Sequence, residues 1–206
     1  MVATQESLDV HLDALAAIEP AFARTMEIYG RPAPRLRPTG HVTMLRTIVG
    51  QQVSVAAANS MWAKLENCFG ADPDLDAMIA ADDDKMRSAG LSRQKAGYCR
   101  SLAGLVQAGE VCFDSLPKDD EEAIADLIKI KGIGRWSAEI YLLFSEGRPD
   151  VFPAGDLAVQ IELGRILECE ERPPEKLVRQ WAEPWSPHRG AAAILSWHSY
   201  QAEPLG

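Results

Sequence analysis

Two short strings hold residue types that can do chemistry. One is Lys131-Gly132-Ile133-Gly134, followed by Arg135, Trp136 and Ser137. The other is Pro153-Ala154-Gly155-Asp156, which runs into the apolar segment opening at Leu157. Glycines one residue apart permit positive φ and a close backbone approach. A helix starting near Arg135 would turn unpaired N–H groups and the positive end of its dipole outward, a natural seat for a phosphate oxygen, and the Ser137 hydroxyl could add a donor. From the glycines alone, a plainly packed helical hairpin explains the string better. Asp156 stands where the next helix begins, and by itself it reads as an N-cap. A carboxylate so placed can also stabilise a neighbouring positive charge or orient a water.

The remaining reactive side chains form no such pattern. Cys68, Cys99, Cys112 and Cys169 make no C-x-x-C pair and no metal-ligand spacing, so they read as scattered thiols of a reducing compartment. His11, His41, His188 and His198 do not cluster in sequence.

Composition sets bounds and one tension. The 206 residues are 47% hydrophobic and 25% charged, enough for one domain or two small subdomains. The net charge is −9, whereas binders of polyanions usually show a basic footprint. Acidic residues crowd into 72–84 and 119–126. Arg24, Arg31, Arg35, Arg37, Arg93, Lys95, Lys129, Lys131 and Arg135 lie elsewhere. Backbone N–H groups at a helix start would then do the holding, with weak binding and a modest salt dependence. No apolar run is long enough to cross a bilayer, and the first residues lack the features of a signal peptide. A cytoplasmic protein without membrane contact is expected.

The elements that must position the two strings are helical. Alternating strand patterns are missing, and helical spacing recurs. The periodicity predicts helices over 7–29 with a bend at Pro20, 41–50, 54–68, 75–81, 84–89, 93–108 capped by Ser92, and 120–130 opened by an Asp119/Glu122 capping box. Further helices are expected at 135–146, 156–169, 174–182 and 188–200. The proline-rich stretch 31–38 reads as a connector at a subdomain boundary.

The stretch 121–144, EEAIADLIKIKGIGRWSAEIYLLF, resembles the helix-hairpin-helix motif. Together with the DVFP loop and Asp156 it is similar to the helix-hairpin-helix plus Gly/Pro-Asp superfamily of DNA glycosylases, and within it to the AlkA-type DNA-3-methyladenine glycosylase II group. Two flanking strings agree: IVGQQVSVAAA at 48–58 and WSPHRGAAAILSW at 185–197. The resemblance covers roughly 40–200. It implies an all-α fold of two helical subdomains, a central bundle over 38–147 and a second subdomain from 1–37 plus 148–206, with the active-site cleft between them.

For function, the resemblance implies base flipping from damaged double-stranded DNA and hydrolysis of the N-glycosidic bond of alkylated purines, 3-methyladenine and 7-methylguanine, as the first step of base excision repair. Asp156 would be the catalytic carboxylate. Trp136 and Trp197 would line the substrate pocket. Ile140 and Leu157 stand where such enzymes often carry Tyr, so that pocket would be less aromatic. Lys131, Gly132, Ile133, Gly134 and Ser137 would grip the DNA strand, and Gln51 or Gln52 would fill the gap left by the flipped base. Gln52 departs from the Leu that the best-known AlkA-type enzymes place there.

No cofactor would be required. A structural sodium or potassium ion would sit on the backbone carbonyls of Ile128, Ile130 and Ile133. Trp136 occupies the place of the catalytic Lys of bifunctional relatives, so no lyase activity is expected, and Cys169 alone cannot support the iron–sulfur cluster of others. The protein is expected to act as a monomer. A non-catalytic helix-hairpin-helix module that recognises damaged or abasic DNA is the alternative, and a helical scaffold with a packed glycine turn is a third reading.

Overall fold

The computed structural model describes Val2 and residues 4–202. Among the described residues every regular element is helical, so the expected all-α class holds. The α-helices are α1 Gln5–Ile18, α2 Pro20–Tyr29, α3 His41–Gly50, α4 Val55–Phe69, α5 Leu75–Ala80, α6 Asp83–Ser88, α7 Arg93–Gln107, α8 Asp120–Leu127, α9 Arg135–Phe144, α10 Leu157–Ile166, α11 Glu175–Ala182 and α12 Arg189–Ala202. A 3-10 turn at Glu183–Trp185 joins α11 to the run before α12.

Local chemistry explains the helix boundaries. Asp74, Asp82, Ser92 and Asp119 each accept a backbone N–H in the first turn of the helix they precede. The expected bent helix over 7–29 is instead two helices. Glu19 is extended, donates its N–H to the Leu15 carbonyl and caps α2 through its side chain, and Pro20 supplies the first residue of α2. The helix expected to reach 130 ends at Leu127, because residues 128–130 turn into the hairpin.

The chain clusters into two compact units, 1–36 with 139–206, and 37–138, so the division falls inside α9. The unit 37–138 is built round α7, which packs on α3, α5 and α6 and buries Ala96, Cys99, Leu102 and Ala103. Leu45, Ile48, Leu65, Met78 and Leu127 also lie in its core. Burial pushes the Cys99 thiol up to about 12, so it is an inert core group. Lys95 donates to the Val49 carbonyl at 2.7 Å and so fixes the end of α3.

The other unit is built round α12, which packs on α1, α2 and α10. Its buried face is small, with Gly190, Ala191, Ala192, Ala193 and Ser196 all inaccessible. A Cβ at Gly190 would come 2.7 Å from the Pro149 carbonyl, so only glycine lets the helix start this close to the preceding loop. Two ties secure that start. Arg189 holds Asp150 through Nε at 2.8 Å and Nη2 at 2.7 Å, and His188 meets His11 of α1 with their Nδ1 atoms 2.7 Å apart.

Candidate active site

The hairpin lies in the unit 37–138. Gly132 has φ +83°, and a Cβ there would fall 2.3 Å from the Tyr98 ring, so both backbone conformation and close packing demand glycine. Gly134 is different: it is not among the positive-φ glycines, and a Cβ there would meet nothing within 4 Å. Its place is immediately before Arg135, the first residue of α9, where backbone N–H groups face the helix start. The turn is tied down from inside. Lys131 N–H donates to Ser101 Oγ at 3.1 Å, and Ile133 N–H to the Ile130 carbonyl at 3.0 Å.

Side chains around the turn separate into exposed and engaged. Trp136 is 47% exposed, unusual for a residue that normally provides core. Ser137 is buried, and Arg135 is paired with Glu121 at 2.8 Å, so its charge is locally compensated. Of the residues expected to hold a cation, Ile128 is exposed while Ile130 and Ile133 are buried. Gln51 donates Nε2 to the Gly132 carbonyl at 2.8 Å, linking the turn after α3 to the hairpin. Gln52 is exposed and left-handed, with φ 55°. The structure thus distinguishes two neighbours that the sequence left equivalent: one amide braces the hairpin, and the other is displayed.

Asp156 lies in the other unit, as the N-cap of α10. Its Oδ1 accepts the Val159 N–H at 3.0 Å and the Trp197 indole N–H at 3.1 Å. Trp197 is half-buried, with its ring centroid 5.4 Å from that of Phe144. It also forms part of the wall of a cavity of about 220 Å³, together with Arg31, Arg35, Phe144, Ile194 and His198. Leu157 is 57% exposed directly after Asp156, and Ile140 is half-buried on α9.

The loop before Asp156 is braced by side chains that sequence patterns did not single out. Gln160 donates Nε2 to the Ala154 carbonyl at 2.8 Å, and Arg172 donates to Gln160 Oε1 at 2.9 Å. Arg179 reaches Glu175 at 2.8 Å and the buried Glu139 at 3.2 Å. The sequence separations conceal these bonds. A glutamine within a helix otherwise looks like solvated surface.

Residues 45–187 match the family described as HhH-GPD superfamily base excision DNA repair protein. The chain is similar to DNA-3-methyladenine glycosylase 2 of Escherichia coli, 27% identical over 189 residues, covering 85% of this chain and 64% of that one. It spans 58% of the length of a Bacillus subtilis relative. Among solved structures, a DNA-3-methyladenine glycosidase from Bacillus halodurans superposes with a TM-score of 0.85 at 27% identity, covering 92% of this chain and 88% of that one. A Schizosaccharomyces pombe 3-methyladenine DNA glycosylase in complex with abasic DNA superposes with a TM-score of 0.75 at 26% identity, covering 93% and 95%.

Proposed function

The chain belongs to the HhH-GPD superfamily of base excision DNA repair proteins, and from that premise we propose that it is a monofunctional DNA glycosylase of the 3-methyladenine type II class. Its substrate is damaged duplex DNA, and its products are a free alkylated purine and an abasic site. The observation that carries this reading is the Asp156 carboxylate, held at the start of α10 by Val159 and Trp197.

The chemistry follows from charge. Cleaving an N-glycosidic bond builds positive charge on the sugar. A fixed carboxylate stabilises that charge and orients the attacking water. Alkylation at N3 or N7 makes the purine cationic and a good leaving group, so little acid catalysis at the base is needed. The nucleotide must leave the stack to be reached, at a cost of a few kcal/mol that is smallest for a damaged pair. Stacking on an aromatic face recovers part of that cost, and the exposed Trp136 and the half-buried Trp197 are the aromatic residues assigned to it.

The glycine turn and the start of α9 hold a strand phosphate through backbone N–H groups, and Gln52 is the side chain that fills the vacated stack. A monovalent cation suits the hairpin carbonyls of Ile128, Ile130 and Ile133, which are neutral oxygen donors. The Ile130 carbonyl accepts one hydrogen bond from Ile133 and retains a second lone pair. Such an ion would add positive charge beside the phosphate.

The direct test incubates the protein with methylated duplex DNA and measures free 3-methyladenine and 7-methylguanine. Release by the native protein that disappears in Asp156→Asn is the expected result. No release by the native protein, or full release by Asp156→Asn, overturns the reading.

A further inference from the structure

The segment that delivers Asp156 is short, and its middle is held by an amide one helical turn downstream. Gln160 is 6% exposed, and its side chain ignores its own helix. Its Nε2 donates to the carbonyl of Ala154, a fully buried residue two positions before Asp156, at 2.8 Å. Its backbone N–H donates to the Asp156 carbonyl at 3.0 Å, so Gln160 bonds both Asp156 itself and the residue two positions before it. Arg172 fixes which way round the amide lies. A guanidinium can only donate, so Oε1 must face Nη1 at 2.9 Å and the NH₂ must face Ala154.

The surroundings are built to keep this arrangement. Ala154 N–H donates to the Phe152 carbonyl at 2.8 Å, and Asp156 N–H to that of Pro153 at 2.9 Å, which folds the loop tightly. On α10, a Cβ at Gly164 would lie 2.9 Å from Pro173 Cδ. Glycine there lets the segment bearing Arg172 lie against the helix. A Cβ at Gly155 would lie 3.2 Å from Glu175 Oε2, so the loop is closed on that side as well.

We infer that Gln160, oriented by Arg172, is a positioning residue that sets where the Asp156 carboxylate stands. Its catalytic consequence rests on the glycosylase reading, but the positioning itself does not. Displacing a catalytic group by about 1 Å can lower a rate by about a hundredfold. A side chain that merely filled space would be replaced by Met at no loss beyond stability.

Three variants test this. Gln160→Met keeps the length and removes both polar contacts. Gln160→Glu keeps the Arg172 bond and loses the donor to Ala154. Arg172→Met changes an exposed residue and leaves the amide unoriented. The first readout is the Trp197 indole ¹H–¹⁵N resonance, which reports the hydrogen bond to Asp156 without any need for activity. The second is single-turnover base release, set against affinity for abasic-site duplex.

The expected result is a shifted Trp197 indole signal in all three folded variants. Base release falls about tenfold or more for the two Gln160 variants and less for Arg172→Met, while abasic-site affinity stays within about threefold. An unmoved indole signal in Arg172→Met and in either Gln160 variant at native stability overturns the inference. So does a rate loss that merely follows the fraction unfolded. If the native protein releases no base, the glycosylase reading fails by itself, and the indole signal still decides the positioning.

Discussion

Trp197 and Asp156, 41 residues apart, share a hydrogen bond in which the indole Nε1–H donates to Oδ1 at 3.1 Å. The same oxygen accepts the Val159 N–H at 3.0 Å. Helix capping and presentation of the carboxylate are therefore one geometry, and Trp197 bonds the carboxylate through its edge while its ring lies tilted beside that of Phe144.

Trp197→Phe separates edge from face. It keeps an aromatic ring beside Phe144 and removes the donor. A hydrogen bond to a charged group contributes about 1.5–3 kcal/mol, so base release in single turnover should fall about 10- to 100-fold. The same bond also supports the fold, so Tm should fall by about 2–4 °C for each kcal/mol lost. A Phe variant as fast as the native protein would show that the indole serves only as a stacking surface.

Much of this arrangement was legible in the sequence, and the part that was not has a common cause. Ser92, Asp119 and Gly132 announce themselves because capping and left-handed turns are decided by a few neighbouring residues. The split at Pro20 looks like a bend in the sequence because apolar spacing continues across it, and the three-residue turn at Glu183–Trp185 is too short to show a period. Gln160 with Arg172, Gln51 with Gly132, and His11 with His188 depend on which elements pack together. Their separations of 12, 81 and 177 residues leave no local signature.

The two hairpin glycines should respond differently to the same added methyl group. Gly132→Ala places a Cβ 2.3 Å from the Tyr98 ring at φ +83°. Left-handed strain alone is about 1–3 kcal/mol, and for a chain of this size each kcal/mol lowers Tm by about 2–4 °C. Gly134→Ala meets nothing within 4 Å, so Tm should stay within about 2 °C. On the proposed function, affinity for abasic duplex should nonetheless drop, because the methyl group would stand in the path of the phosphate assigned to this turn. Equal melting temperatures for the two variants would contradict this assignment of roles.

Base removal should leave the strand intact. Trp136 follows Arg135 at the start of α9, and an indole nitrogen cannot form a Schiff base with an opened sugar. Borohydride added during turnover of an abasic or methylated duplex should trap no protein–DNA adduct, and denaturing gels should show cleavage only after hot alkali. A trapped adduct would identify an amine nucleophile and a bifunctional enzyme.

His11 should make stability depend on pH just below neutrality. Its Nδ1 lies 2.7 Å from Nδ1 of His188. Burial lowers the His11 pKa from 6.5, the neighbouring His188 lowers it further, and Asp150 opposes the shift. A histidine with a depressed folded-state pKa binds fewer protons folded than unfolded. Its stabilising effect is therefore complete above about pH 6.5 and is lost as pH falls towards the folded value. The limiting slope for one proton is about 1.4 kcal/mol per pH unit. Asp150 acts in a separate window. Burial would raise its pKa, but the Arg189 and Ser186 hydrogen bonds hold it below 3.8, so its effect disappears only in stronger acid. Urea midpoints should rise with pH between about 5 and 8 in the native protein and flatten in His11→Gln, and in titrations carried on to about pH 3 both curves should fall together below about pH 4. A native midpoint that stays constant from about pH 5 to 8 would show that His11 protonates as readily folded as unfolded.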